Sequence, residues 1–404
     1  MPSLALLGGA PLRTKPFAKW PIFDDRERVA LGEVLESGSW GGYNPKVREF
    51  EKAFANYHDT EFAVSASNGT VTLEGALLAA GIGPGDEVIV PPITFIATAT
   101  AVLRAGATPV FADIGAHYNI DPKRILEALS PRTKAIIPVH FGGHPAEMDI
   151  ISAIAKKEGI LVIEDAAHAH GASWNHRHVG TFGDISSFSF QQSKSMTAGE
   201  GGILIGNNAT LIDGARSIFN QGRVLGGGWY EHVRLGTNQR MTAWQAAVLL
   251  VQLQRLSEQL ALRAQNSRYL DERLGKLPFL QISVPDARVT CHGNYLYLIR
   301  IRSEELSSIS AKTFTEALAA EGIPGTGSYP QPIYQSELFR HYQYRQTECP
   351  EASLACRDMF WVSHEILLAK REDLEDFVSA LVKVADHAHK LQLLSVQPRS
   401  ALAT

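Results

Sequence analysis

The chain has 404 residues, of which 45% are hydrophobic and 20% charged, with a formal net charge of −4 and three cysteines. That length can bury two or three cores without disulfide staples. With no long run of Lys or Arg, neither nucleic acid nor an anionic membrane finds an electrostatic footing, which leaves small molecules as the expected partners. The opening MPSLALLGGAPLRTKPF has a brief apolar patch but no basic segment ahead of it, and no apolar run approaches the ~20 residues that span a bilayer. Cys291, Cys349 and Cys356 follow neither CxxC nor zinc spacing, so reduced thiols, no bound metal and a cytoplasmic protein are expected.

From Phe62 to Gly206, strand-like and helix-like stretches alternate. EFAVSAS precedes the helical TVTLEGALLAAG, DEVIV precedes ITFIATATAVLRAG, and TPVFADI precedes DPKRILEAL. KAIIPVH then leads to MDIISAIAKKEG, and ILVIED to the turn-like AAHAHG. Strands apolar on both faces, separated by amphipathic helices, predict an α/β fold with a mostly parallel sheet covered on both sides. After Met241 the pattern shifts to a long helical period through Leu274. NYLYLIRI (294–301) reads as a strand, KTFTEALAAEG (312–322) as a helix and residues 372–391 as a last amphipathic helix. The expected organisation is an N-terminal arm (1–20), a large α/β domain (21–255), a small C-terminal α+β domain (256–392) and a disordered tail (393–404).

In such sheets ligands bind at the carboxyl ends of the strands. The residues just past those ends are SNGT (67–70), PPITF (91–95), HFGGH (140–144), EDAAHAH (164–170) and QQSK (191–194). A lone lysine is usually solvated. At a strand corner beside small residues, as Lys194 is, burial can instead favour the neutral amine and Schiff-base chemistry. Asp165 either caps the turn after its strand or serves as the anionic partner of a pyridinium nitrogen. His168, three residues on, is either structural or a hydrogen-bond donor to a phenolate oxygen. Gly69 and Thr70 stand where a helix N-terminus could take a phosphate, and Phe95 is either core or a stacking face.

Taken in order, these motifs resemble the DegT/DnrJ/EryC1/StrS family of sugar aminotransferases, a branch of the fold type I pyridoxal phosphate enzymes. The resemblance runs from about Trp20 to Leu368. It rests on SNGT, DEVIVPPITFIATATAVLRAGATPVFADI, PRTKAIIPVHFGG, EDAAHAHGA, FSFQQSKSMTAGEGG and GTNQRMTAWQAA. It implies a central sheet plus a smaller C-terminal domain and a pyridoxal 5'-phosphate cofactor bonded to Lys194. By the same resemblance Asp165 pairs with the ring nitrogen, His168 lies near the ring oxygen, Phe95 stacks on the ring, and Ser189 binds phosphate with Gly69 and Thr70. Asn238 in GTNQR matches an asparagine that reaches the phosphate from the neighbouring subunit, which implies a homodimer with shared active sites.

The sequence around the lysine, QSKS followed by TAGEGG, is similar to the branch containing scyllo-inosose aminotransferases and 3-amino-5-hydroxybenzoate synthase. That similarity implies ping-pong transfer of an amino group from L-glutamine or L-glutamate to a ring ketone of a cyclitol or keto sugar, as in aminoglycoside-type biosynthesis. The alternatives are an aromatising dehydratase, a nucleotide-keto-sugar aminotransferase and a non-catalytic regulatory protein. Arg240, Tyr334 and Trp40 are the candidates for substrate contacts. The family's RMTE is RMTA here, with Ala243, and Tyr334 stands where many relatives carry His.

Overall fold

The computed structural model describes residues 3–396. In chain order the strands are β1 (Phe62–Ala66), β2 (Glu87–Val90), β3 (Thr108–Phe111), β4 (Thr133–Ile136), β5 (Leu161–Asp165), β6 (Ser173–Trp174), β7 (Arg177–His178) and β8 (Ile185–Ser189). They continue with β9 (Gly202–Gly206), β10 (Leu280–Ile282), β11 (Val289–Cys291), β12 (Leu296–Ile301), β13 (Thr326–Gly327), β14 (Arg345–Gln346) and β15 (Met359–Ser363). Eight of them form one sheet in the order β1-β9-β8-β5-β4-β2-β3-β14. Its neighbours make five parallel and two antiparallel pairings, so the α/β reading of residues 62–206 holds.

Side chains alternate across this sheet into two separate cores. Val88 and Val90 of β2 pack with Leu73, Ala76 and Val102 on one face, while Ile89 packs with Val110, Ile136 and Ile151 on the other. Burial on both faces explains why these strands read as unbroken apolar runs. β8 runs parallel to β5, β9 runs back beside β8, and β1 is antiparallel to β9. Two reversals restore the direction, which puts the carboxyl ends of β1, β5 and β8 on one edge. The loop from 190 to 201 joins β8 to β9 at that same edge.

A four-stranded antiparallel sheet, β10-β12-β15-β13, carries a second core of Ile299, Phe314, Phe360 and Phe377. Helix Ala243–Leu274 links the two parts and crosses the boundary expected at 255/256 without a break. Its 32 residues rise about 48 Å. Leu249 and Leu256 pack with Phe50 and Phe54 near the large sheet, while Leu270 and Leu274 enter the second core. The N-terminal arm joins that core through Leu4, and the Arg13 guanidinium pairs with Asp373 at 2.7 Å.

Several features were not visible in the sequence. Helices Asp25–Ser37 and Pro45–Tyr57 precede the sheet, and the small sheet β11-β6-β7 closes one flank. β14 returns from beyond the second core to pair with β3, held there by Arg345, whose Nη2 donates to the buried Glu87 carboxylate at 2.8 Å. The last helical stretch divides into Arg371–Asp386 and Ala388–Val396. Residues 393–396 of the expected tail continue that last helix, and 397–404 lie outside the described residues.

Candidate active site

A cavity of about 810 Å³ opens at the edge where β1, β5 and β8 end. Gly69, Thr70, Phe95, Asp165, His168, Ser189 and Lys194 all line it. The opposite wall comes from the second part of the molecule, with Tyr295, Tyr329 and Trp361.

Asp165 is the last residue of β5 and is buried. Its Oδ2 accepts from Thr98 Oγ1 at 2.8 Å, and its Oδ1 accepts from the Ala167 amide at 3.2 Å. Burial pushes its carboxyl pKa up, against the pull of these two donors and of the Lys194 charge. It makes no ion pair among the described residues, although the neighbouring Glu164 receives His140, two backbone amides and a serine hydroxyl. A buried carboxylate with neutral donors only is suited to a cation brought in by a ligand.

His168 Nδ1 accepts from the Gly142 amide at 3.3 Å, so the ring carries its proton on Nε2. Burial holds its pKa well below the usual imidazole range, and the Lys194 charge adds to the effect. The neutral ring lies 4.3 Å, centroid to centroid, from Tyr295.

Lys194 rides on the β8–β9 loop, where its backbone N–H closes a turn onto the Gln191 carbonyl at 2.8 Å. The side chain leads its Nζ to 4.6 Å above the centre of the Tyr295 ring, and the Tyr295 hydroxyl shares a hydrogen bond with Ser193 Oγ at 3.0 Å. The lysine thus points across the cavity rather than into solvent.

Gly69 begins helix Gly69–Ala79, capped by Asn68, whose Oδ1 accepts from the Val71 amide at 3.0 Å. A Cβ on Gly69 would sit 2.7 Å from Ser189 Cβ, so only glycine lets the helix start this close to β8. The first amides of that helix, which no turn of the helix can satisfy, therefore stand beside a serine hydroxyl, as an anion requires. Phe95 is 59% exposed, an open aromatic face on the cavity wall rather than core.

Four of the expected residues lie elsewhere. Asn238 is exposed on the loop between helices and forms an isolated β-bridge with Asn220. Arg240 donates to Asn220 Oδ1 at 2.7 Å and lies over the Tyr43 ring. Trp40 is half exposed, 5.6 Å from the Trp244 ring. Tyr334 packs against Phe111 and Tyr344 in the sheet core. Sequence reading also missed Thr98, Tyr295, Tyr329 and Trp361. Thr98 carried a signal, one helical turn past Phe95, whereas the aromatic residues come from segments remote in the chain.

Comparison with known proteins now adds to this geometry. Residues 21–382 match the profile of the DegT/DnrJ/EryC1/StrS aminotransferase family. The L-glutamine:2-deoxy-scyllo-inosose aminotransferase of Micromonospora echinospora is 36% identical over 417 residues, covering 96% of this chain and 99% of the relative. The 3-amino-5-hydroxybenzoate synthase of Amycolatopsis mediterranei is 36% identical over 371 residues, 89% of this chain and 94% of its own. A crystal structure of 3-amino-5-hydroxybenzoic acid synthase superposes with a TM-score of 0.86 at 34% identity, spanning 94% of this chain and all of the other. The chain is an aminotransferase of the class that depends on pyridoxal 5'-phosphate. It belongs to the DegT/DnrJ/EryC1/StrS family. The residues present fit that cofactor: an anion cradle that a single Cβ would fill, an unpaired buried carboxylate and a lysine amine share one cavity.

Proposed function

We propose that this enzyme moves the amino group of L-glutamine or L-glutamate to a ring ketone of a cyclitol or unactivated keto sugar, in aminoglycoside-type or related biosynthesis. The observation that carries the reading is Lys194, brought over Tyr295 into the cavity that buries Asp165. Curated relatives named for glutamine and inosose substrates support the choice of donor and acceptor.

When bound, pyridoxal phosphate supplies an aldehyde that takes up an amino group and a ring that accepts electrons. Gly69, Thr70 and Ser189 would hold its phosphate, Phe95 would offer its face to the ring and Lys194 would supply the amine that meets its aldehyde. The buried Asp165 carboxylate would keep a proton on the ring nitrogen, and His168, with its proton on Nε2, would donate to the ring oxygen. With the donor in place, Lys194 Nζ would take the proton from the donor Cα as a general base and deliver it, as a general acid, to the carbon that had been the cofactor's aldehyde. The aromatic wall of Tyr295, Tyr329 and Trp361 excludes water and offers apolar faces to a ring-shaped acceptor.

The working unit in this reading is a homodimer in the cytoplasm. The 220–240 loop supports the dimer, since Trp229 is 79% and Leu235 97% exposed beside Asn238 and Arg240. Apolar surface of that kind marks an interface. Free thiols at Cys291, Cys349 and Cys356 suit a reducing compartment.

The kinship with 3-amino-5-hydroxybenzoate synthase favours a second reading, an aromatising dehydration. Amide-labelled glutamine, α-amino-labelled glutamine and a panel of inososes, keto sugars and nucleotide keto sugars test both. Incorporation of the α-amino nitrogen into an inosose or free keto sugar is expected. Incorporation into nucleotide sugars alone, or a new aromatic absorbance, overturns the first reading.

A further inference from the structure

Behind the Lys194 loop, away from the cavity, lies a group of side chains with no part in the chemistry above. Arg263, on the long helix, is completely buried, and its Nε and Nη1 have no hydrogen-bond partner among the described residues. Its remaining nitrogen, Nη2, lies 3.2 Å from Gln259 Oε1, 3.2 Å from His364 Nδ1 and 3.5 Å from the Ser195 carbonyl. Glu365, the carboxylate whose charge reaches it, forms no ion pair with it and accepts from Ser363 Oγ instead. A cation in this position is costly to bury, which calls for a role.

His364 translates that charge onto the loop. A guanidinium only donates, so His364 Nδ1 must accept. The imidazole proton therefore sits on Nε2, which donates to the Ser193 carbonyl at 3.0 Å. Burial disfavours a second proton on His364, and the Arg263 guanidinium acts in the same direction. From the N-terminal arm, Trp20 Nε1 donates to the Gln192 carbonyl at 3.0 Å, and its ring meets His364 edge-on at 4.5 Å. Carbonyls 192, 193 and 195, on both sides of Lys194, are thus each met by a donor from a different part of the chain. On the cavity side, Tyr295 closes the bracket through Ser193 Oγ.

We propose that Trp20, Arg263 and His364 are positioning residues for Lys194: a three-point backbone clamp that fixes the loop so that the lysine enters the cavity over Tyr295. The arm, the long helix and the strand β15 with its following turn would then be coupled to the reactive amine without any of them touching substrate. The proposal rests on the reading of Lys194 as the reactive amine.

The test uses the full-length holoenzyme and four proteins: wild type, His364→Leu, His364→Gln and Trp20→Phe. Glutamine can reproduce both bonds of the imidazole, since its amide oxygen accepts and its nitrogen donates, whereas leucine can do neither. In His364→Leu, amide hydrogen exchange over residues 193–196 is expected to quicken by about tenfold or more. The kcat for the glutamine half-reaction should drop about 10- to 100-fold while KM stays within about threefold, because misplacement costs rate rather than binding. His364→Gln should recover to within about threefold of wild type on both readouts. Trp20→Phe keeps the ring and deletes one N–H, and should quicken exchange at 192–194 even if the leucine variant does not fold. Unchanged exchange in the folded variants overturns the clamp, as does a glutamine variant as impaired as the leucine one. Borohydride labelling of wild type separates the two readings. Loss of label from Lys194 with the exchange pattern intact would sink the amine's role and leave the clamp standing.

Discussion

The β8–β9 loop and the 220–240 loop belong to one chain but are built on opposite terms. The first is held from behind by Trp20, Arg263 and His364 and in front by Tyr295, and it presents a single amine to a buried carboxylate. The second exposes Leu225, Trp229, Tyr230, Val233 and Leu235 and carries Asn238, whose backbone bridges to that of Asn220, and Arg240, which donates to Asn220 Oδ1 and lies over the Tyr43 ring. The contrast teaches that Lys194, Asp165, His168 and the cradle of Gly69, Thr70 and Ser189 meet in one cavity within a single chain, while Asn238 stands apart on an exposed loop. In the homodimer proposed above, a second copy would bring the exposed loop carrying Asn238 toward the anion cradle of Gly69, Thr70 and Ser189.

Asp165→Asn attacks the first half most directly. Removing a preorganised charge from a buried site costs about 10²- to 10³-fold in kcat, with the Thr98 hydrogen bond still possible, so a melting curve close to wild type should accompany the loss. Gly69→Ala strikes the anion cradle. The added methyl, 2.7 Å from Ser189 Cβ, is expected to cost about 1–3 kcal/mol of stability and roughly tenfold in cofactor affinity, read by dialysis and fluorescence titration. Asn238→Ala probes the second half and should weaken cofactor binding about tenfold, one hydrogen bond to an anion being worth about 1.5 kcal/mol or more. Mixed with Lys194→Ala after subunit exchange, at cofactor too dilute to load the Asn238→Ala homodimer, it should give about a quarter of wild-type turnover, because random mixing gives hybrid dimers with one intact site. No recovery would place Asn238 in its own chain's chemistry or outside the site.

The smallest effect concerns acid. Burial lowers the pKa of His58 and His170 to about 3 each and that of His144 to about 2. Below pH ~6.5 the unfolded chain takes up protons that the folded state refuses, so stability falls as pH drops from ~6.5 toward those values. Each histidine contributes a slope of at most about 1.4 kcal/mol per pH unit. The raised pKa of Asp165 acts with the opposite sign. His58 and His170 pack against Phe188 on β8, so their share of this slope belongs to the loop's support. Urea midpoints between pH 7 and 5 measure it, and His58→Phe should flatten it.

What could be read from the sequence divides along the same line. Short apolar runs set between helical periods exposed the strands of the large sheet, and the rule that ligands gather at strand ends singled out Gly69, Phe95, Asp165, His168 and Lys194, all now on one cavity. The capping role weighed for Asp165 is also real, since it accepts from the Ala167 amide. Tyr295 was read as part of a strand stretch, but nothing local said that its ring would face Lys194, a hundred residues earlier. Two-residue pairings such as β14 on β3 carry no periodic signal at all. Arg263 fell within a helical period, where its spacing suggested one more helix position rather than a buried cation.

Peptide mapping after borohydride reduction of the yellow holoenzyme bears most directly on the role given to Lys194. The cofactor mass should be found on the peptide containing Lys194 and should vanish in Lys194→Ala. The same mass on another lysine, or label undiminished in the alanine variant, would contradict it.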